Sequence, residues 1–322
     1  MKKLIAFLTA CLCLTLTFGL SACKVRNDIV IAAPDGAPVL ALYSLMKDGT
    51  AIDEKTVGYK VYTGAANIGT AISSGDADIA VMPLNVASKL YNKGEDIKLL
   101  SVNVFGILYM VGKTGLNGKE DLTGKRVVTI GRGGSPDLML KYILDKNGIE
   151  YEDKETAVTG KVAINYVNAP AEANQMLAKN LADYAILGEP AATAACKKLG
   201  LKVVMDIKEE WSKIVGENTF TQAGVVVNKK VYEDENLCKA LLKKLGENAS
   251  FAEQNASDVK SVVNSYGSTL SMDFSPELIK RCNLGCLRAS EGRETIEKYF
   301  SAILENDKSF IGGKLPDANF YY

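Results

Sequence analysis

The residues that could do chemistry in this sequence fall into a few short stretches, and the side chain most used for proton transfer is missing from all of them. There is no histidine among the 322 residues. That removes Ser-His-Asp and Cys-His catalysis, histidine zinc sites and the usual general base near neutral pH. Cys282 and Cys286 lie four apart in KRCNLGCLRAS, but with no second pair and no histidine this is a poor zinc signature. They are open to a disulfide in an oxidising compartment or to life as buried thiols, and Cys196 and Cys238 sit within helix-like runs. No metal and no cofactor is expected.

The strongest binding signal is TIGRGGSPDLMLKYILDKNG, residues 129–148. Ser135 reads as a helix N-cap, Pro136 as the first helical residue, Asp137 as a charge suited to the positive end of the dipole, and Gly148 as the stop. Gly131, Gly133 and Gly134 let the backbone come close to a partner with N–H groups pointing outward, the way helix starts hold anions and polar groups. A nucleotide is excluded on detail. A P-loop needs Lys and then Ser or Thr after its last glycine, and a dinucleotide turn needs glycine where Pro136 stands. A tight turn without a ligand stays open, and Arg132 either grips an acidic ligand or points at solvent.

The elements that must position these residues follow from the hydrophobic pattern. Short β-rich runs alternate with helical ones: DIVIAA (28–33), VGYKVY (57–62), DIAVM (78–82), IKLLSVNV (97–104), FGILYMV (105–111), RVVTI (126–130), VAINYV (162–167), DYAIL (183–187), LKVVM (201–205) and QAGVVV (222–227). The last hundred residues turn mostly helical. This predicts an α/β fold with crossover helices. Ten strands exceed one short sheet, so two lobes sharing a crevice are expected, with any ligand outside the carboxyl ends of the strands. With 38 basic and 38 acidic side chains, no bulk field selects a nucleic-acid partner.

The first 22 residues read as an export signal, Met1, Lys2 and Lys3 followed by an apolar run. Cys11 and Cys13 leave with it. The run is short for a full membrane span. LSAC, Leu20 to Cys23, resembles the bacterial lipobox, which implies a lipidated, palmitate-bearing Cys23 and an extracytoplasmic protein anchored to the cell membrane.

The loops after the strands are small, polar or turn-forming: PDGAP, TGAAN, PLN and GRGGSPD. DLTGKRVVTIGRGGSPDLML resembles the second-lobe entry of the solute-binding proteins of ABC importers of the nitrate, sulfonate, taurine and thiamine-precursor type. SSGDADIAVMPLNVASKLY, DYAILGEPAATAA, TQAGVVVNKKVYED and the C-terminal GGKLPDANFYY are similar to that family in the same order.

The resemblance implies the two-lobed periplasmic binding protein type 2 fold. Lobe one is 28–105 plus 222–322 and lobe two is 106–221, with hinges near Asn103 to Gly106 and Thr219 to Ala223. It places ligand contacts at Asp35, Gly36 and Ala37, at Ala65, Ala66 and Asn67, and at Pro83, Leu84 and Asn85. Lobe two adds Arg132, Gly133, Gly134, Ser135, Asn168 and Glu189. Glu189 either accepts hydrogen bonds from an amino-bearing heterocycle, balances a cation, or caps the helix opened by Pro190, and Phe105 and Tyr109 are read as stacking partners or as core. Family members that bind small anions often carry Trp where this chain has Gly188, which means more room or a different wall.

The function implied is delivery of a small organic solute, a sulfonate-like anion or a pyrimidine-like or thiamine-precursor-like heterocycle, to an ABC importer permease, by a lipid-tethered monomer. An enzyme on the same scaffold and a ligand-sensing surface lipoprotein are the alternatives. The missing histidine and the export signal weigh against the enzyme.

Overall fold

The computed structural model describes residues 27–49 and 51–322. The stretch read as an export signal, and Cys23 after it, lie outside the described residues. Among these, no helix is long and apolar enough to cross a membrane.

The fold is α/β with two sheets, each the centre of a lobe. The first holds β1 (Ile29–Pro34), β2 (Ala51–Ile52), β3 (Lys55–Tyr62), β4 (Ile79–Pro83), β5 (Ile97–Phe105), β12 (Thr221–Asn228) and β13 (Leu284–Arg288), in the order β13-β5-β12-β4-β1-β3-β2. The second holds β6 (Leu108–Gly112), β7 (Arg126–Ile130), β8 (Tyr151–Asp153), β9 (Val162–Val167), β10 (Tyr184–Gly188) and β11 (Lys202–Asp206), in the order β11-β6-β10-β7-β9-β8.

The two orders contain the same unit. In the first sheet β3, β1 and β4 are parallel and β12 lies antiparallel beside β4. In the second, β9, β7 and β10 are parallel and β6 lies antiparallel beside β10. Whereas β3, nearer the sheet edge, has one buried residue of eight, β1, β4, β7 and β10 each run into a helix and are mostly buried, as expected of parallel strands covered on both faces. β12 is the extreme case. Seven of its eight residues are buried, and a Cβ on Gly224 would sit 2.3 Å from the Ser101 carbonyl of β5. Glycine alone lets the two strands approach so closely.

β5 stops at Phe105 and β6 starts at Leu108, later than the pattern FGILYMV predicts. Gly106 has φ +48° and turns the chain out of the first sheet. The Ile107 N–H then donates to the Gln222 side chain at 3.1 Å, which pins the outgoing connection to the returning one. β13 has no counterpart in the sequence reading. It is a five-residue edge strand, LGCLR, with a register shift against β5 and no β-branched residue, so neither alternation nor propensity marks it.

The C-terminal helix Arg293–Asp307 touches both lobes. Its Tyr299 is fully buried against Trp211 and Phe220, with ring centroids 6.1 and 5.4 Å away. Trp211 lies on the helix Ile207–Val215 that follows β11. Farther along, Lys146 of the second lobe reaches Glu305 at 2.7 Å. The chain then returns over the helix Leu84–Asn92 and ends with Tyr322 N–H on the Leu99 carbonyl of β5 at 2.9 Å.

Candidate functional site

The loops at the carboxyl ends of the parallel strands meet across the two lobes. Asn85 is the second residue of the helix Leu84–Asn92, and its Nδ2 donates to the Gly133 carbonyl at 3.1 Å. A Cβ on Gly64 would lie 3.7 Å from the Asn168 carbonyl. These contacts bring together the loops after β3, β4, β7 and β9. Asn85 is 2% exposed, and its Oδ1 has no partner among the described residues. A buried acceptor without a donor costs free energy on the order of 1–3 kcal/mol.

The glycine turn forms as a helix start, but with its parts shifted by one. Gly134 is the N-cap and Ser135 the first helical residue of Ser135–Lys146. The Ser135 hydroxyl does not cap; it lies 3.2 Å from the Tyr299 hydroxyl. Gly131 and Gly133 take φ +66° and +74°, open to glycine at little cost. The Gly133 N–H is not left pointing outward. It donates to Asp137 Oδ2 at 2.7 Å, and that carboxylate is fully buried. The chain supplies its own anion at this helix start.

Asp137 is the centre of a charge network on the second lobe. The Tyr166 hydroxyl lies 3.1 Å from Asp137 Oδ1 and 2.7 Å from Asp153 Oδ1. Burial and the Asp153 contact push that phenol well above the usual tyrosine range. Lys141 Nζ reaches Asp137 at 3.3 Å, and Arg132 pairs with Asp153 at 2.6 Å while its guanidinium lies 4.3 Å over the Tyr166 ring. Arg132 is exposed, and its charge is directed to Asp153.

Asp35 is likewise engaged inside its own lobe. Its carboxylate accepts from the Ser268 hydroxyl at 2.6 Å and from the Thr269 hydroxyl and N–H at 2.7 and 2.8 Å. Gly36 has φ +102° and precedes the short helix Ala37–Leu40, in which Ala37 is buried. Ala65 and Asn67 are exposed in the turn that also holds Ala66, Leu84 is buried, and Pro83 ends β4. Asn168 is exposed, with its N–H on Glu172 at 3.3 Å.

Glu189 sits at the end of β10 with no side-chain exposure. It accepts from the Thr193 N–H at 3.0 Å and hydroxyl at 2.9 Å, the helix-capping alternative of the two. Its remaining partner is Arg281, whose Nε lies 2.7 Å away and whose guanidinium is 5.0 Å over the Tyr109 ring. Tyr109 therefore already carries a stacking partner. Gly188 faces a wall rather than room, since a Cβ there would meet Ile107 Cδ1 at 3.3 Å.

Cys196, Cys238, Cys282 and Cys286 are free thiols. Burial pushes all four up from the ordinary thiol value, Cys282 most, so none is prepared as a nucleophile. Open, charge-lined depressions around Lys230 and Asp234, and around Asp28 and Lys55, lie at the other end of the first sheet and meet none of these loops.

Sequence reasoning missed Arg281, Tyr166 and the Ser268–Thr269 loop. Arg281 stands beside Cys282 in KRCNLGCLRAS, and nothing local points to a partner 92 residues away. The sequence pattern assigns Asp137 to the helix dipole; its spacing of four from Gly133 is the signal for the turn closing on itself.

The sequence model of the NMT1/THI5 like family matches residues 56–255. No curated protein matches the chain in sequence. Among solved structures, an ABC transporter crystal structure from Parabacteroides distasonis is similar at 25% identity and a TM-score of 0.76, over 92% of this chain and 99% of that one. The alkanesulfonate-binding protein SsuA from Xanthomonas axonopodis pv. citri, bound to MOPS, is similar at 14% identity and a TM-score of 0.64, over 90% and 94%. The periplasmic aliphatic sulphonate binding protein SsuA from Escherichia coli stands at 14% and 0.63, over 90% and 92%. The matched segment runs from β3 through the whole second sheet to the helix Glu235–Gln254; the chain belongs to the NMT1/THI5-like family and has the two-lobed α/β fold of periplasmic binding proteins.

Proposed function

We propose that the protein is the solute receptor of an ABC-type importer. It holds a small organic molecule between its lobes and presents it to the permease as a monomer, tethered outside the cell membrane by lipid on Cys23. The observation that carries this reading is the meeting of loops from both sheets at Asn85 and Gly133, 3.1 Å apart, at the strand ends where open α/β sheets bind ligands. Lobe one would be 28–105 plus 222–322 and lobe two 106–221, opening and closing about the connections at Gly106 and Gln222. The loops 35–37, 65–67, 83–85 and 131–135, with Asn168 and Glu189, would form the walls.

The chemistry of these walls favours an uncharged, N–H-bearing heterocycle over a sulfonate-like anion. An anion needs an unspent cation or free backbone N–H groups. Arg132 is paired with Asp153, Arg281 with Glu189, and the Gly133 N–H with Asp137. Among the side chains of these loops, the buried one left without a partner is an acceptor, Asn85 Oδ1, which asks for a donor on the solute.

The test is native mass spectrometry on the purified protein, followed by melting in the presence of cytosine, thiamine, riboflavin, taurine and MOPS. A solute at a hundred times its Kd adds about 2.7 kcal/mol. A shift with a heterocycle is expected. A shift with taurine or MOPS alone would sink the charge argument, and no co-purified mass together with no shift would sink the receptor reading. Cys23→Ser should move the protein out of the membrane fraction, and retention there would rule out the lipid tether.

A further inference from the structure

The C-terminal turn enters the region between the lobes, where no loop of the sequence-based site places it. Phe310 lies on the short turn Lys308–Ile311. A Cβ on Gly133 would fall 2.3 Å from Phe310 Cε1 and 2.8 Å from Cδ1, so the ring rests directly on the bare backbone of the glycine turn. Its backbone anchor belongs to the opposite lobe. The Ile311 carbonyl accepts from Ser88 Oγ at 3.1 Å and from Asn92 Nδ2 at 2.7 Å. Both are on the helix Leu84–Asn92, whose first turn carries Asn85 toward Gly133. Residues three and seven positions beyond Asn85 share its helix face, so the tail and the Asn85 contact lie along one line. Lys89 Nζ, 5.9 Å over the ring, covers Phe310 from the first lobe.

We infer that Phe310 forms an end wall of the solute site and sets how long a solute the site admits. The inference rests on the receptor reading. Gly133 has no side chain and takes φ +74°, so the second lobe cannot fill this end of the site itself; the ring does. Phe310 is stapled to the first lobe through its neighbour Ile311, whose carbonyl accepts from the Ser88 and Asn92 side chains, and touches the second through van der Waals contact, so it would leave Gly133 as the lobes part and return as they close. A solute lying along the glycine turn, with its donor on Asn85 Oδ1, would meet the ring at its far end.

The test compares the wild-type full chain, expressed with its own leader and extracted in detergent, with Phe310→Ala, Phe310→Leu and Phe310→Trp. Trp211, the one tryptophan of the wild-type chain, reports melting; the probes are cytosine, thiamine, riboflavin, taurine and MOPS. Affinity for the probe that shifts the wild type most should fall at least tenfold in Phe310→Ala and Phe310→Trp. Phe310→Ala should gain response to a longer probe than the wild type accepts, and Phe310→Leu should fall between. The same affinity order in all four proteins, or a loss confined to probe-free melting, would place Phe310 outside the site and leave the receptor reading standing. No shift and no retained small mass in the wild type would overturn the receptor reading and the end wall with it.

Discussion

Arg281 of the helix Pro276–Arg281 donates from Nε, at 2.7 Å, to a Glu189 carboxylate that has no exposed surface, and the two belong to different lobes. A buried charge that keeps only Thr193 is costly, because desolvation is no longer offset. Arg281→Ala should therefore destabilise the protein by about 2 kcal/mol, less than for a wholly buried pair because Arg281 is 44% exposed. Arg281→Ala combined with Glu189→Gln should recover part of that loss in a denaturant double-mutant cycle. Additive effects would mean that the pair couples nothing.

Asn85 holds Gly133 and keeps a free acceptor. Asn85→Ala should weaken solute binding by about 1–3 kcal/mol, the range for a lost hydrogen bond with its partner left unsatisfied. Isothermal titration with the solute identified by melting measures this, and an unchanged Kd removes Asn85 from the site.

Gly133→Ala should destabilise twice over. Alanine at φ +74° costs about 1 kcal/mol, and crowding against Phe310 adds about 1–3 kcal/mol. In a Phe310→Ala background the second part should vanish and the first should stay. Equal losses in both backgrounds would show that the ring does not bear on Gly133.

The pair that ties β7 to β10 sets an acid limit on the second lobe. Arg126 Nε and Nη2 donate to Asp183 at 3.1 and 2.9 Å, and this hydrogen bonding holds the Asp183 carboxyl below its usual range. A depressed folded value gives stability that is present above the unfolded pKa, about 3.9, and is lost as pH falls through the folded value. Asp183→Asn should cost about 1 kcal/mol at pH 7. The difference from wild type should be flat from pH 5 to 8 and disappear in stronger acid. A difference that persists at pH 2 would assign the loss to packing.

The strands were legible where the signal is local. RVVTI and VAINYV are β7 and β9 to the residue, because β-branched runs bounded by Gly131 and Asn168 leave little choice of ends. β13 was not, since LGCLR is an edge strand held by β5 rather than by its own propensity. The shared strand order of the two lobes leaves no trace in residue types, as it lives in pairing partners and not in side chains. The candidate site was legible as loops and illegible as charges. Which cation meets Asp137, Asp153 or Glu189 depends on chain segments brought together only by the fold, and those pairings decide whether Arg132 has charge left for a solute.

Thr221 and Phe105 stand opposite each other in the ladder between β12 and β5. To the first sheet, everything from Gly106 to Phe220 is a single long loop whose ends must be brought together before those strands can pair. The entropy of closing it falls if the loop has already condensed. The second sheet can do this, since its strands are one uninterrupted stretch from Leu108 to Asp206. Refolding should accordingly be hierarchical, with amides of β7, β9 and β10 protected from hydrogen exchange before those of β5 and β12.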